Sequence, residues 1–166
     1  GSSGKQREAA GSSGKVREGA GRCGRKRLVP VESPLSGPLN PGSIMNHERF
    51  AAWQVAHQLV LEVYRLSAGW PRHEQYGLVA QVRRAAASAP LSMAEGAARR
   101  GSKEFRRYLD VARGSLAELG YALLLARDLG YLGQADWKAI DQLRAHAAAL
   151  NWSLYRAVAR RADAER

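Results

Sequence analysis

The chain has 166 residues, with 26 Lys and Arg against 15 Asp and Glu and a formal net charge of +11. That length allows one domain and leaves little room for two. No uninterrupted apolar run approaches the ~18 to 20 residues of a membrane-spanning helix, and the N-terminus lacks the apolar stretch of a signal peptide. The single cysteine, Cys23, excludes an intrachain disulfide and a thiolate metal site, so a soluble, cytoplasmic protein without membrane attachment is expected.

Composition divides the chain. Residues 1–44 hold nine of the 17 glycines, four of the six prolines and seven serines, whereas all 12 aromatic residues lie between Phe50 and Tyr155. A segment with no aromatic to bury and nearly half Gly, Pro or Ser cannot offset the entropy of ordering itself, so residues 1–44 read as a disordered basic tail. The tail carries eight cations against three Glu, or +5; residues 45–166 carry eighteen against twelve, or +6. Gly1-Ser2-Ser3-Gly4-Lys5 recurs as Gly11-Ser12-Ser13-Gly14-Lys15. This is either a flexible arm that meets phosphate without sequence preference or sequence outside the evolved domain. Met45 followed by the capping residue Asn46 looks like a natural start and favours the second reading.

Residues 45–166 read as four helices. From Asn46 to Leu66 there is no Gly or Pro, and Phe50, Trp53, His57, Val60 and Tyr64 form one helical stripe. Val55, Leu59, Val63 and Leu66 form a second stripe. Together they give an apolar arc of about 200°, more than one packing partner needs, so Val55, Leu59 and Val63 are candidates for an oligomer or partner interface. Gly69-Trp70-Pro71 ends this helix. A second is expected from about Glu74 to Arg99, with Leu78, Val82, Ala86, Ala89 and Met93 inward. Its many small residues favour close approach of a neighbour. Pro90 should kink it, and Gly96 should weaken its end. Ser102 then caps a third helix, whose Phe105, Leu109, Ala112, Leu116, Leu119, Leu123 and Ala126 make a long seam. After Gly130-Tyr131-Leu132-Gly133 a fourth runs from about Gln134 to Arg161, with Ile140, Leu143, Ala147, Leu150, Leu154 and Val158 inward. Trp137, Trp152 and Tyr155 fall on another face and join the interface candidates. Four helices of roughly 25 residues with short connections predict an all-α, antiparallel up-down-up-down bundle.

Several local patterns then carry a resemblance. Phe50-x-x-Trp53-x-x-Ala56-His57-x-Leu59-Val60, Trp70-Pro71, and Tyr76-Gly77-Leu78-x-x-Gln81-x-Arg83-Arg84-Ala85-Ala86-x-Ser88-x-Pro90 resemble the four-helix bundle family of proteins encoded in intervening sequences of 23S ribosomal RNA genes. So do Ala94-Glu95-Gly96, Glu104-Phe105-x-x-Tyr108-Leu109-x-x-Ala112-x-Gly114-Ser115-Leu116-x-Glu118-Leu119, and Leu129-Gly130-Tyr131-Leu132. The similarity covers residues 45–161 and leaves out the tail. It implies a homopentameric ring and says little about chemistry. A similar bundle serves diversity-generating retroelements as an accessory protein, a basic pentamer that binds a reverse transcriptase and nucleic acid. Ser92 stands where the family usually has Asn.

The residues themselves offer little chemistry. Di-iron bundles need inward Glu-x-x-His pairs, and no Asp or Glu lies three residues before His47, His57, His73 or His146. His57, on an apolar stripe, reads as an interior histidine. There is no phosphate loop of the G-x-x-x-x-G-K type and no nucleophile elbow. No catalytic residue, cofactor or metal site is expected, and the chain does not read as an enzyme. What stands out is charge: from Arg83 to Arg113, eight cations face three acids. Arg83, Arg84, Arg99, Arg100, Lys103, Arg106 and Arg107 are the candidate contacts to RNA or DNA, with Arg106 to Asp110 an expected local pair. Two functions follow. One is a self-associating protein that binds nucleic acid without sequence preference through a basic rim. The other is a scaffold that docks a protein partner such as a reverse transcriptase through its apolar and aromatic surface.

Overall fold

The computed structural model describes residues 46–164, together with Gly1, so the expected disordered tail lies outside the described residues. All regular structure among them is helical: α1 over Ala51–Ser67, α2 over Leu78–Ala98, α3 over Ser102–Asp128 and α4 over Gln134–Ala164. Single 3-10 turns at Asn46–Arg49 and Arg72–Glu74 precede α1 and α2.

Both of these starts lie later than the sequence predicts. Phe50 is extended (φ −84°, ψ 121°), and its carbonyl receives the N–H groups of Trp53 and Gln54, so α1 begins beyond the Asn46 turn. The break lets the Phe50 ring lie 5.6 Å from that of Phe105 on α3. Before α2, the Glu74 carboxylate turns back to accept the N–H of Leu78 at 3.0 Å, a side-chain substitute for a backbone acceptor. A Cβ on Gly77 would meet that carboxylate at 2.6 Å, so a larger residue there would push it aside. The helix then continues unbroken through Pro90.

Each helix touches two others: α1 packs on α2 and α4, and α3 packs on α2 and α4, with no close approach across either diagonal. Along α2 and α3, Gln81 meets Glu118, Ser88 meets Ser115 and Glu95 meets Tyr108, each step forward on one helix being a step back on the other. Leu59, Met93, Leu109, Leu116, Leu119, Leu123 and Ile140 fill the centre. The α3 seam is buried from Leu109 to Ala126 as its spacing predicts.

The α2–α3 seam is the tight one. Ala85, Ala89, Ser92 and Gly96 are buried along α2, and Ser88 and Ser115 share a hydrogen bond of 2.8 Å within the seam. Gly96 is buried because a Cβ there would lie 2.6 Å from Tyr108 Cβ and 2.8 Å from the Phe105 ring. It is thus a packing requirement rather than the weak point its helix propensity indicates. Asn151 is 1% exposed and donates its amide to the Leu109 carbonyl at 3.0 Å, fixing α4 against α3.

The first helix corrects the sequence reading. Leu59 and Val63, expected at an interface, are 0% and 1% exposed and belong to the core with Ala52 and Ala56. Two alanines let α1 lie close to its neighbours, and the bulkier stripe sits at the margin of the core, with Trp53 and Val60 half-buried. His57 is exposed, not interior, and stacks on Trp53 with ring centroids 5.1 Å apart. Val55 is half-buried against the core, and so is Trp137, which Arg127 covers at 4.3 Å from the ring centroid. Trp152 is 44% exposed and stacks on the half-buried Tyr155.

Candidate nucleic-acid interface

The connection between α2 and α3 is three residues long, Arg99-Arg100-Gly101. Gly101 sits at φ 93°, in the left-handed region, which lets the chain reverse at once. This tight reversal gathers Arg99, Arg100, Lys103, Arg106 and Arg107 at one end of the bundle, five of the seven predicted contacts.

The gathered cations are of two kinds. Arg99 donates to the Glu95 carboxylate at 2.6 Å, and Tyr108 donates its hydroxyl to the same oxygen at 2.8 Å. Arg107 pairs with Glu104 at 3.8 Å, and the guanidinium groups of Arg99 and Arg107 lie 5.7 and 5.5 Å from the Tyr108 ring centroid. The hydrogen bonds from Arg99, and then from Tyr108, hold the Glu95 carboxyl below its ordinary range. The same carboxylate raises the Arg99 guanidinium. By contrast, Arg100, Lys103 and Arg106 have no acidic partner among the described residues. Asp110, the expected mate of Arg106, pairs with Arg113 at 3.7 Å instead. All of these pairs face water, where such contacts contribute little to stability, so the surplus charge is the meaningful feature.

Arg83 and Arg84 do not belong to this end. Arg83 donates to Ser67 Oγ at 2.8 Å and lies over the Tyr64 ring at 4.8 Å, tying α2 to the C-terminal part of α1. Arg84 is exposed and donates to Gln81 within its own helix.

Two cations that the sequence reading missed complete the site. Arg49, from the 3-10 turn before α1, and Arg161, near the end of α4, line a cleft of about 480 Å³ together with Arg99, Phe50, Gly101 and Phe105. Neither has an acidic partner among the described residues. They come from the two ends of the helical sequence, and only the return of α4 past α1 brings them together. The available signal was topological, because alternating helices place the start of the first and the end of the fourth beside the second connection.

A third feature lies on the side of the bundle. Trp53, His57 and Val60 of α1 and Ala87, Pro90 and Leu91 of α2 line a largely apolar groove of about 440 Å³, with Leu91 67% exposed. Among the described residues no group of three His, Cys, Asp or Glu side chains could hold a metal ion, and no helix is long and apolar enough to cross a membrane.

Residues 48–151 match the family of 23S rRNA-intervening sequence proteins, a span that includes α1 to α3 and most of α4. No curated protein matches the chain.

Proposed function

This chain belongs to the family of 23S rRNA-intervening sequence proteins, and we propose that it is a non-enzymatic, self-associating helical bundle that holds nucleic acid by the phosphate backbone. One observation carries the binding reading: Arg100 of the short reversal and Lys103 and Arg106 in the first turns of α3 have no acidic partners among the described residues, beside the equally uncompensated Arg49 and Arg161. These unpaired cations on one end are suited to phosphate contacts that release counterions and read no sequence. Self-association is supported by two unlike apolar surfaces, the α1–α2 groove around Leu91 and the Trp152–Tyr155 stack on α4. Two different patches suit head-to-tail contacts, which form a ring where the rotation between copies closes, and a ring would add the basic ends of several copies.

The test is a salt titration of RNA and DNA binding by the full chain, with native mass measurement for subunit number. Log K should fall steeply and linearly with log salt, and the triple variant R100A/K103A/R106A should flatten the slope by about 0.9 for each phosphate it no longer neutralises. A flat response in the unaltered chain would sink this reading. Salt-resistant capture of a protein partner, abolished in Trp152→Ala, would favour the scaffold reading in its place.

A further inference from the structure

We infer that the cleft between Arg49, Arg99 and Arg161 is a site for a nucleotide phosphate monoester, carried by a free mononucleotide or by the phosphorylated end of a strand. This rests on the nucleic-acid reading above and deepens it: the rim would hold the backbone, and the cleft the end.

Three arginines from separate elements line the cleft, and no Asp or Glu does. Arg99 spends one terminal nitrogen on Glu95 and Tyr108, while Arg49 and Arg161 make no such contact among the described residues. Each guanidinium offers five N–H donors in a planar fork that matches phosphate oxygens. Two uncompensated charges, from Arg49 and Arg161, match the roughly two negative charges that a terminal phosphate carries at pH 7 better than the one of an internal phosphodiester, and Arg99, paired with Glu95, offers its remaining donors beside them.

The walls add a second requirement. Phe50 and Phe105 border the cationic cleft and also a smaller, more enclosed recess of about 160 Å³, which reaches Leu154 and Val158 of α4. Arg161 lines both. A ligand that fills the two compartments has an anionic head and a compact apolar or aromatic body. At about 480 Å³ the outer cleft falls within the size range of small-molecule sites, ~300 to 1,000 Å³, so it suits a single nucleotide. Base-to-ring stacking on the phenylalanines is tolerant of base identity, in keeping with a site that reads an end and not a sequence.

The experiment uses the full chain and three probes: inorganic phosphate, adenosine monophosphate, and one oligonucleotide prepared with a 5′-phosphate or a 5′-hydroxyl. Adenosine monophosphate should bind more tightly than inorganic phosphate by calorimetry. If strand ends are the source, the phosphorylated oligonucleotide should bind roughly tenfold more tightly than its hydroxyl form. Arg161→Ala and Arg49→Ala, both at exposed or open positions, should abolish mononucleotide binding and erase any end preference while circular dichroism stays unchanged. R100A/K103A/R106A should weaken both oligonucleotides equally and leave mononucleotide binding intact. Mononucleotide binding without polymer binding would remove the rim reading and keep the cleft. The inference is overturned if adenosine monophosphate binds no better than phosphate, or if Arg161→Ala weakens both oligonucleotides by the same factor.

Discussion

The two ends of this bundle are built from the same materials and finished differently. At the end where α1 leads to α2 and α3 leads to α4, aromatic side chains close the core. Trp70 is 8% exposed, Leu132 is 4% exposed, and the Trp70 and Tyr131 rings lie 6.3 Å apart. Several charges there are paired: Glu74 receives both the Leu78 N–H and the Tyr131 hydroxyl, Arg65 pairs with Glu62, and Arg127 binds Asp128 while covering Trp137. Burial, and then Glu74, raises the Tyr131 hydroxyl above its ordinary range, as a phenol in a closed setting requires. At the opposite end Arg49, Arg100, Lys103, Arg106 and Arg161 have no acidic partner among the described residues, and two phenylalanines border an open cleft. The first end is sealed by its own side chains, whereas the second leaves a cleft open to a ligand. Substitutions at the closed end should therefore cost stability and spare binding, and those at the open end should do the reverse.

The largest expected effect is at the closed end. Trp70→Ala should lower the free energy of unfolding by about 3 to 5 kcal/mol in urea denaturation, with the salt dependence of nucleic-acid binding unchanged. A drop below about 1 kcal/mol would show that the end is not closed by this ring. Next comes the seam that leads to the open end. Gly96→Val places carbon against Tyr108 and Phe105 where no space exists, and overpacking of this kind costs about 1 to 3 kcal/mol. This change should also displace Phe105 from the cleft, so it tests where the two regions meet.

How far the sequence revealed this division differs by level. The α3 seam and the small-residue face of α2 were legible because spacing alone identifies a stripe and small residues identify a close neighbour. The first helix was not. Two apolar stripes were visible on it, but spacing does not say which one faces inward, and bulk misleads. Ala52 and Ala56 sit in the core with Leu59 and Val63 because a short side chain is what a close helix pair accommodates, leaving Trp53 half-buried at its margin. The cation cluster near Gly101 was legible because it is local in sequence. Arg83, a candidate contact by charge density alone, lies apart from that cluster, because the turns of α2 that separate it from Arg99 carry it to Ser67. Arg49 and Arg161 needed the topology first.

A smaller effect again concerns the closed end. Glu74→Ala removes the acceptor for Leu78 and for Tyr131 and should cost about 1 kcal/mol, the usual range for removing a helix cap, with Tyr131 titrating closer to its ordinary value. An unchanged Tyr131 titration would show that burial alone sets it.

The smallest expected effect lies at the open end and concerns Glu95, the acid that keeps Arg99 occupied. Its carboxyl sits below the ordinary value of 4.5 because Arg99, and then Tyr108, donate to the ionised form. A folded-state value depressed in this way contributes stability that is present above the unfolded value and lost as pH falls through the folded one. Since the group is exposed, the loss should be slight, and its clearer sign should be the midpoint itself: a carboxyl carbon titration by NMR should place Glu95 below 4.5, and Arg99→Ala should return it upward. Glu95→Gln makes the same release at neutral pH. It frees Arg99 to meet phosphate, so nucleic-acid binding should tighten at low salt and its salt slope steepen by about 0.9, the increment for one more phosphate neutralised, with urea stability nearly unchanged. If the slope instead stays fixed, Arg99 belongs with the paired charges that hold Tyr108 in place, and the working cations of this end are Arg49, Arg100, Lys103, Arg106 and Arg161 alone.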